Sequence, residues 1–464
     1  FADVSTLQFE VQLGPDTASR PLSGRLWVVL QKQGARRGEP RISLGRTGLN
    51  TPPVLGRDVT DFEPGQTIVL DASSALFPIP DLDELPPGPY RVQAVLHTNR
   101  DLNIPNAPGD FYSPIEEVVL DPARGGRVSL RIDRRLPEES MPADSPFVRY
   151  VKIRSKLLSD FHNRPIFLRA SVVLPKGFDD NPQRHYPLRV HTGGYGSRFT
   201  DIPPIEQAGS SFHRLWMSDD TPRFLYLTLD GAGPLGDPYQ VNSDNHGPYG
   251  DAVTTELIPE VERRFRGIGT GRARVLDGGS TGGWVSLALQ TFYPDFFNGA
   301  WAFCPDSVDF RSFQLVNIYQ DSNAYLSASG FERPSAREPS GDVRYTMRHE
   351  LQMENVLGLG DSWAMSGGQW GAWNATYGPK GPDGRPVPLW DPKSGVINRS
   401  VVDHWKRYDL RLYLQTHWTD LAPQLKGKIH IWVGEADDYF LNNAVHQLDD
   451  FLSRTNPPFE GSIT

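Results

Sequence analysis

The sequence has a single cysteine, Cys304, in 464 residues. No intrachain disulfide can form, and cysteine-based metal clusters are excluded. A chain this long can bury a sufficient core without such staples, so the lone thiol does not fix a compartment. No uninterrupted apolar run reaches roughly 18 residues, which excludes a membrane-spanning helix. Positive charge is in the minority: 47 Lys and Arg stand against 56 Asp and Glu, for a net charge of −9. A chain-wide electrostatic grip on nucleic acid is therefore not expected. The H-E-x-x-H, EF-hand, P-loop and dinucleotide-binding patterns are all missing, so neither a metal nor a cofactor is implied. The opening stretch FADVSTLQFEV lacks the basic and apolar regions of a signal peptide. It fits either a chain without a leader or a mature form, with a secreted or periplasmic location favoured over a cytoplasmic one.

Glycine and proline are in excess, at 44 and 41 residues, against average usage of roughly 7% and 5%. No Gly-X-Y period accompanies them, so the composition reads as a loop-rich, sheet-containing globular protein. At roughly 150 residues per domain, the length allows two or three domains. Residues 1–133 read as short strands between turns: Leu7–Leu13, Arg25–Gln31, Thr67–Asp71, Tyr90–His97, Glu116–Leu120 and Arg127–Ile132. Many short strands without a convincing helix predict an all-β, immunoglobulin-like sandwich. It would be either a structural appendage or a substrate-binding module. Residues 134–147, charged and proline-rich, read as a linker.

From 148 to 464 strand-like runs alternate with helical ones. Arg149–Arg154 and Ile166–Leu174 read as an antiparallel pair joined by a polar stretch around Asp160. Tyr186–His191, Phe224–Leu229, Ala273–Asp277, Gly299–Cys304 and Ile429–Val433 are further strands. Asp251–Arg266 reads as a helix capped by Asp251, with Val253, Leu257, Ile258, Val261 and Phe265 on one face. The alternation predicts an α/β class, with a doubly wound, mostly parallel sheet. Residues 306–425 break it. This insertion holds Trp363, Trp370, Trp373, Trp390, Trp405 and Trp418, six of the eleven tryptophans. It can cap a substrate pocket or form a satellite core around a long excursion. Asn374-Ala375-Thr376 and Asn398-Arg399-Ser400 are glycosylation sequons, relevant only in a eukaryotic secretory setting.

The strongest chemical signal is Gly278-Gly279-Ser280-Thr281-Gly282-Gly283, which contains the G-x-S-x-G pattern of a nucleophile elbow. Small residues on either side of the serine permit a strained turn that lifts its hydroxyl above a sheet. The context fits, because a strand is predicted up to Asp277 and a helix over Gly282–Thr291. Ser280 is the candidate nucleophile; a plain glycine-rich turn is the competing reading.

With further pieces the chain from about Arg149 onward resembles the Putative esterase family of the α/β-hydrolases. That group includes feruloyl and other carbohydrate esterases, esterase-D-type enzymes, enterobactin esterases and mycolyltransferases. The matching pieces, in order, are His191-Thr192-Gly193-Gly194-Tyr195, then Asn245-His246-Gly247-Pro248-Tyr249-Gly250-Asp251 leading into a helix. The GGSTGG turn, Tyr293-Pro294-Asp295-Phe296-Phe297 and Gly434-Glu435-Ala436-Asp437-Asp438 follow. The resemblance implies an oxyanion hole from the N–H of Thr281 and that of Tyr195, with Gly194 as the other option for the second donor. It places the triad acid at Asp437, with Asp438 and then Glu435 as alternatives. The triad histidine is expected after the next strand, beyond Thr464. His446 falls inside a predicted helix, Leu441–Leu452, and reads as a surface or packing residue. His191, His246, Trp284, Trp370 and Trp373 are candidate substrate contacts.

The implied activity is a serine esterase acting on a small-molecule or carbohydrate ester, a feruloyl or other carbohydrate-linked acyl ester being favoured. A siderophore trilactone is the rival substrate, and a non-catalytic binding or scaffold protein the rival class. Oligomeric state stays open.

Overall fold

A computed structural model describes residues 6–34, 38–48 and 50–464. In its N-terminal part, strands that cover a core on one side only bury alternate residues. Leu7–Leu13, for example, buries Leu7, Phe9, Val11 and Leu13. It pairs antiparallel with Thr67–Leu70 and parallel with Gly126–Ile132, forming a three-stranded sheet. A seven-stranded sheet faces it, centred on Leu22–Lys32 and Gly88–His97. Phe9, Val11 and Leu130 from the first sheet share one core with Leu26, Val28, Val92 and Leu96 from the second. Val54–Phe62 is a strand that the sequence pattern did not reveal. Gly56 and the charged Arg57, Asp58 and Asp61 interrupt its alternation. Among the described residues of this part, the only helical turns are the short ones at Pro40–Ser43 and Leu82–Glu84.

The second part is built on an eight-stranded sheet. Its strands are β1 (Val148–Ser155), β2 (Ile166–Val173), β3 (Leu188–Thr192), β4 (Leu225–Leu229), β5 (Arg274–Gly279), β6 (Ala300–Phe303), β7 (Ile429–Trp432) and β8 (Ser462–Ile463). They lie in the order β1-β2-β4-β3-β5-β6-β7-β8. β2 runs antiparallel to both β1 and β4, and the remaining pairs are parallel. This is the predicted doubly wound α/β architecture. β4 is buried at every position, as an interior strand of a sheet covered on both faces must be. No helix among the described residues is long and apolar enough to cross a membrane.

Three local readings are corrected. The polar stretch between β1 and β2 contains a helix, Lys156–His162, capped by the Ser155 side chain and ended by Asn163 in the left-handed region. Asp251 is not a cap: helical backbone begins at Tyr249 and passes through a π turn before Ile258–Phe265. Asn374 is fully buried and bonds Val387 O and Leu389 N, which is incompatible with a glycan there.

Four elements frame the site: α1 (Thr281–Phe292), α2 (Met347–Leu357), α3 (Gln369–Tyr377) and α4 (Asn442–Leu452). The six insertion tryptophans are all buried, and they belong to the same core cluster as the sheet residues Leu276, Ala300 and Ile431. They are part of the main core and not of a separate satellite, and packing accounts for most of them. The stretch after 133 is not a free tether, because Glu139 pairs with Arg169 on β2 and with Arg198 in the loop after β3.

The two parts meet at a largely apolar seam. Trp27, Val29, Leu44, Val54 and Val95 pack against Met353, Val356 and Leu357 of α2. The buried Arg25 guanidinium donates to Val356 O and pairs with Asp58 and Asp361.

Candidate active site

Ser280 stands between β5 and α1 with φ 55° and ψ −122°. A non-glycine residue there costs roughly 1–3 kcal/mol, and it persists only where its surroundings impose it. Those surroundings are the two glycines of the motif. A Cβ on Gly278 would lie 2.4 Å from the carbonyl of Gly282, and one on Gly282 would lie 1.8 Å from Thr192 O. Strand, turn and helix thus approach more closely than any side chain allows. The end of β6 locks the turn from the other side, since Ser280 N donates to Phe303 O at 2.9 Å and Asp306 N to Ser280 O at 3.2 Å.

The Ser280 hydroxyl donates to Asp306 Oδ1 at 3.1 Å. Asp306 is buried and receives three more bonds at Oδ2, from Tyr239 OH at 2.8 Å, Trp373 Nε1 at 3.1 Å and Thr281 Oγ1 at 3.1 Å. Burial pushes its pKa above the usual carboxylate range, and the hydrogen bonds oppose that shift. Asp306 was not singled out from sequence, where it marked only the start of the insertion. The available signal was its place just past β6, at the carboxyl edge where ligands of open α/β sheets bind.

The loop after β3 reaches the same point. A Cβ on Gly194 would stand 3.9 Å from Ser280 Cβ. Tyr195 OH bonds Gly367 O and ties this loop to the insertion. Thr281 is the first residue of α1, so its N–H has no helical acceptor. Neither that N–H nor the N–H of Tyr195 has a backbone acceptor among the described residues. Thr281 adjoins the serine in sequence, and Tyr195 lines the same cleft as Ser280.

Asp437 follows β7. Its Oδ1 accepts the N–H groups of Tyr439 at 2.9 Å and Leu441 at 3.0 Å. The other two acids have different partners: Asp438 binds Arg344, and Glu435 binds His446. Among the described residues, no histidine hydrogen-bonds Ser280 or Asp437.

Several expected substrate contacts lie elsewhere. His191 shares Asp277 with Arg189 on the sheet face, because a strand directs alternate residues to opposite sides. His246 is buried, and burial pushes its pKa down to about 3, so it is a neutral core residue. Trp284 packs on Tyr239 and Tyr377 inside the core, and Trp370 on Trp373 and Trp390. Of these candidates only Trp373 lines the cleft that contains Ser280. That cleft holds about 490 Å³ and is also walled by Tyr195, Asp306, Tyr345, Glu350, Glu354 and Tyr439.

A family model described as Putative esterase matches residues 168–460. The comparison with curated proteins gave no match. Among solved structures, a ferulic acid esterase is 15% identical, covering 68% of this chain and 89% of that one, with a TM-score of 0.40. An S-formylglutathione hydrolase from Agrobacterium tumefaciens is 12% identical over 69% and 88%, with a TM-score of 0.37. A ferulic acid esterase from Anaeromyces mucronatus, in complex with ferulic acid, is 11% identical over 70% and 85%, with a TM-score of 0.33.

Proposed function

Because the chain belongs to the Putative esterase family and is a carboxylic ester hydrolase, we propose that Ser280 is the nucleophile that attacks the ester carbonyl. The observation that carries this is its strained backbone at the carboxyl end of a central strand, imposed by Gly278 and Gly282. The oxyanion formed on attack is received by the N–H of Thr281 and that of Tyr195, with Gly194 as the other option for the second donor. Loss of one such donor typically costs on the order of 10²–10³ in rate.

A histidine presented after β8, as in the family pattern, takes the serine proton and passes it to the leaving alcohol. Asp437 holds that imidazole: its Oδ1 is fixed by two backbone N–H groups, and its Oδ2 has no hydrogen bond among the described residues. Water then attacks the acyl-enzyme, and the acid is released. Asp306 keeps the resting hydroxyl oriented beside the oxyanion donors.

The lining favours a neutral, aromatic acyl group. Tyr195, Tyr345, Trp373 and Tyr439 supply flat surfaces, and among the described lining residues there is no lysine or arginine. Burial raises the pKa of Glu350 and pushes that of Glu354 up to about 8, so Glu354 tends to be neutral. A flat feruloyl-type ester suits this cleft better than a siderophore trilactone. We read the N-terminal sandwich as immunoglobulin-like, on the parallel pairing of its first strand with Gly126–Ile132.

The test is hydrolysis of p-nitrophenyl acetate and methyl ferulate by the full-length protein. Ser280→Ala should lower kcat by on the order of 10⁴-fold or more. Absence of turnover by the wild type would favour the non-catalytic binding class instead.

A further inference from the structure

The hydrolase part alone does not close the cleft above Ser280. Leu44, Gly45, Thr47 and Pro105, from two loops of the N-terminal sandwich, line it together with Met353 and Leu357 of α2. The three surfaces meet at Gly45, whose φ is +80°. A Cβ there would lie 3.3 Å from Pro105 Cγ and 3.9 Å from Leu357 Cδ1.

Both loops are fastened to the hydrolase part. Gly48 N donates to His349 Nε2 at 3.1 Å, and Asn103 N to Gly233 O at 2.9 Å. At Gly367 a Cβ would stand 2.2 Å from Asn103 O, so this part of the seam is in direct backbone contact. Within the first loop, Leu44 also belongs to the cluster that joins the sandwich to α2. A wall held this way is preorganised and needs no ordering when a ligand enters.

We propose that these sandwich loops are the specificity wall of the esterase site, sizing it for a flat aryl or arylalkenoyl group joined to the scissile carbonyl. The inference rests on the esterase reading above and adds that the sandwich is part of the binding site. A volume of about 490 Å³ falls in the range of roughly 300–1,000 Å³ typical of sites for drug-sized ligands. It far exceeds the needs of an acetyl group. Leu44, Pro105, Met353 and Leu357 give the wall its apolar character, and Tyr345 and Trp373 give flat faces to stack on.

The test uses Thr47→Trp and Pro105→Trp, both at half-buried loop positions, with exposed Val119→Trp on a distant strand as the control. Each would be measured by calorimetric binding of a non-hydrolysable hydroxycinnamamide, and by the ratio of kcat/KM for methyl ferulate over p-nitrophenyl acetate. Both loop variants should weaken amide binding and lower the ratio by about 10-fold or more, the scale of a steric misfit in an apolar pocket. The control should change neither. Circular dichroism and the thermal midpoint report folding, and either loop variant alone suffices if the other misfolds. Unchanged binding in the folded loop variants overturns the wall, even if the wild type hydrolyses ferulate. Failure of the wild type to bind the amide overturns it too. Amide binding that the loop variants weaken, without any ester turnover, keeps the wall and removes the esterase reading.

Discussion

Replacing Ser280 by alanine and by glycine separates the chemistry of the elbow from its strain. Both variants lose the hydroxyl and its bond to Asp306, so both should be inactive. They differ only in the Cβ. At φ 55° and ψ −122° a residue with a Cβ carries roughly 1–3 kcal/mol of strain, whereas glycine occupies such backbone freely. Against that relief, glycine widens the unfolded ensemble by about 0.4–1 kcal/mol relative to alanine. The balance leaves Ser280→Gly more stable than Ser280→Ala by about 1 kcal/mol, with a spread from near zero to about 2.5 kcal/mol. In a domain of this size that is about 2 °C in Tm. Urea unfolding of the two variants side by side measures the difference without the hydroxyl contributing. If alanine proves the more stable, the backbone at Ser280 is unstrained and the elbow argument collapses.

Other expectations follow from the same contacts. Gly282→Ala drives a Cβ against Thr192 O; overpacking of this kind costs about 1–3 kcal/mol or more, and activity should fall with stability, which parallel assays of Tm and ester hydrolysis will show. Burial pushes the pKa of Asp237 up to about 8, above the ordinary value near 4, so the folded state holds a proton that the unfolded chain releases. That contribution is complete below about pH 4 and is lost as pH rises to about 8. Urea midpoints across this window should decline less in Asp237→Asn than in the wild type. Arg25→Met removes a buried guanidinium whose partners Asp58 and Asp361 are 40% and 55% exposed and whose third partner, Val356 O, keeps the Trp27 bond. The loss should therefore be about 1–2 kcal/mol, read as a shifted unfolding midpoint.

The readable parts of this molecule were those governed by local rules. Strands such as Leu7–Leu13 and Glu116–Leu120 lie where alternation put them, because one face of each meets a core. The elbow was legible because its glycines answer a steric demand within a few residues. Asp306 was not, since its role comes from Tyr239, Trp373 and Ser280 converging from distant points in the chain. Leu44 and Pro105 were invisible for the same reason. The tryptophans misled in part: abundance of large aromatic residues suggested a stacking surface, but burying them contributes more than exposing them, and only Trp373 of the three proposed contacts reaches the cleft. His191 misled through its place beside the loop after β3, because the strand turns it toward Asp277.

The central claim is that Ser280 is an activated nucleophile. Its most direct measurement is intact-mass analysis of the full-length protein after treatment with a fluorophosphonate, followed by peptide mapping. The account predicts one adduct, on the peptide containing Ser280, absent from Ser280→Ala together with ester hydrolysis. Hydrolysis that survives in Ser280→Ala, or an adduct on another residue, would contradict it.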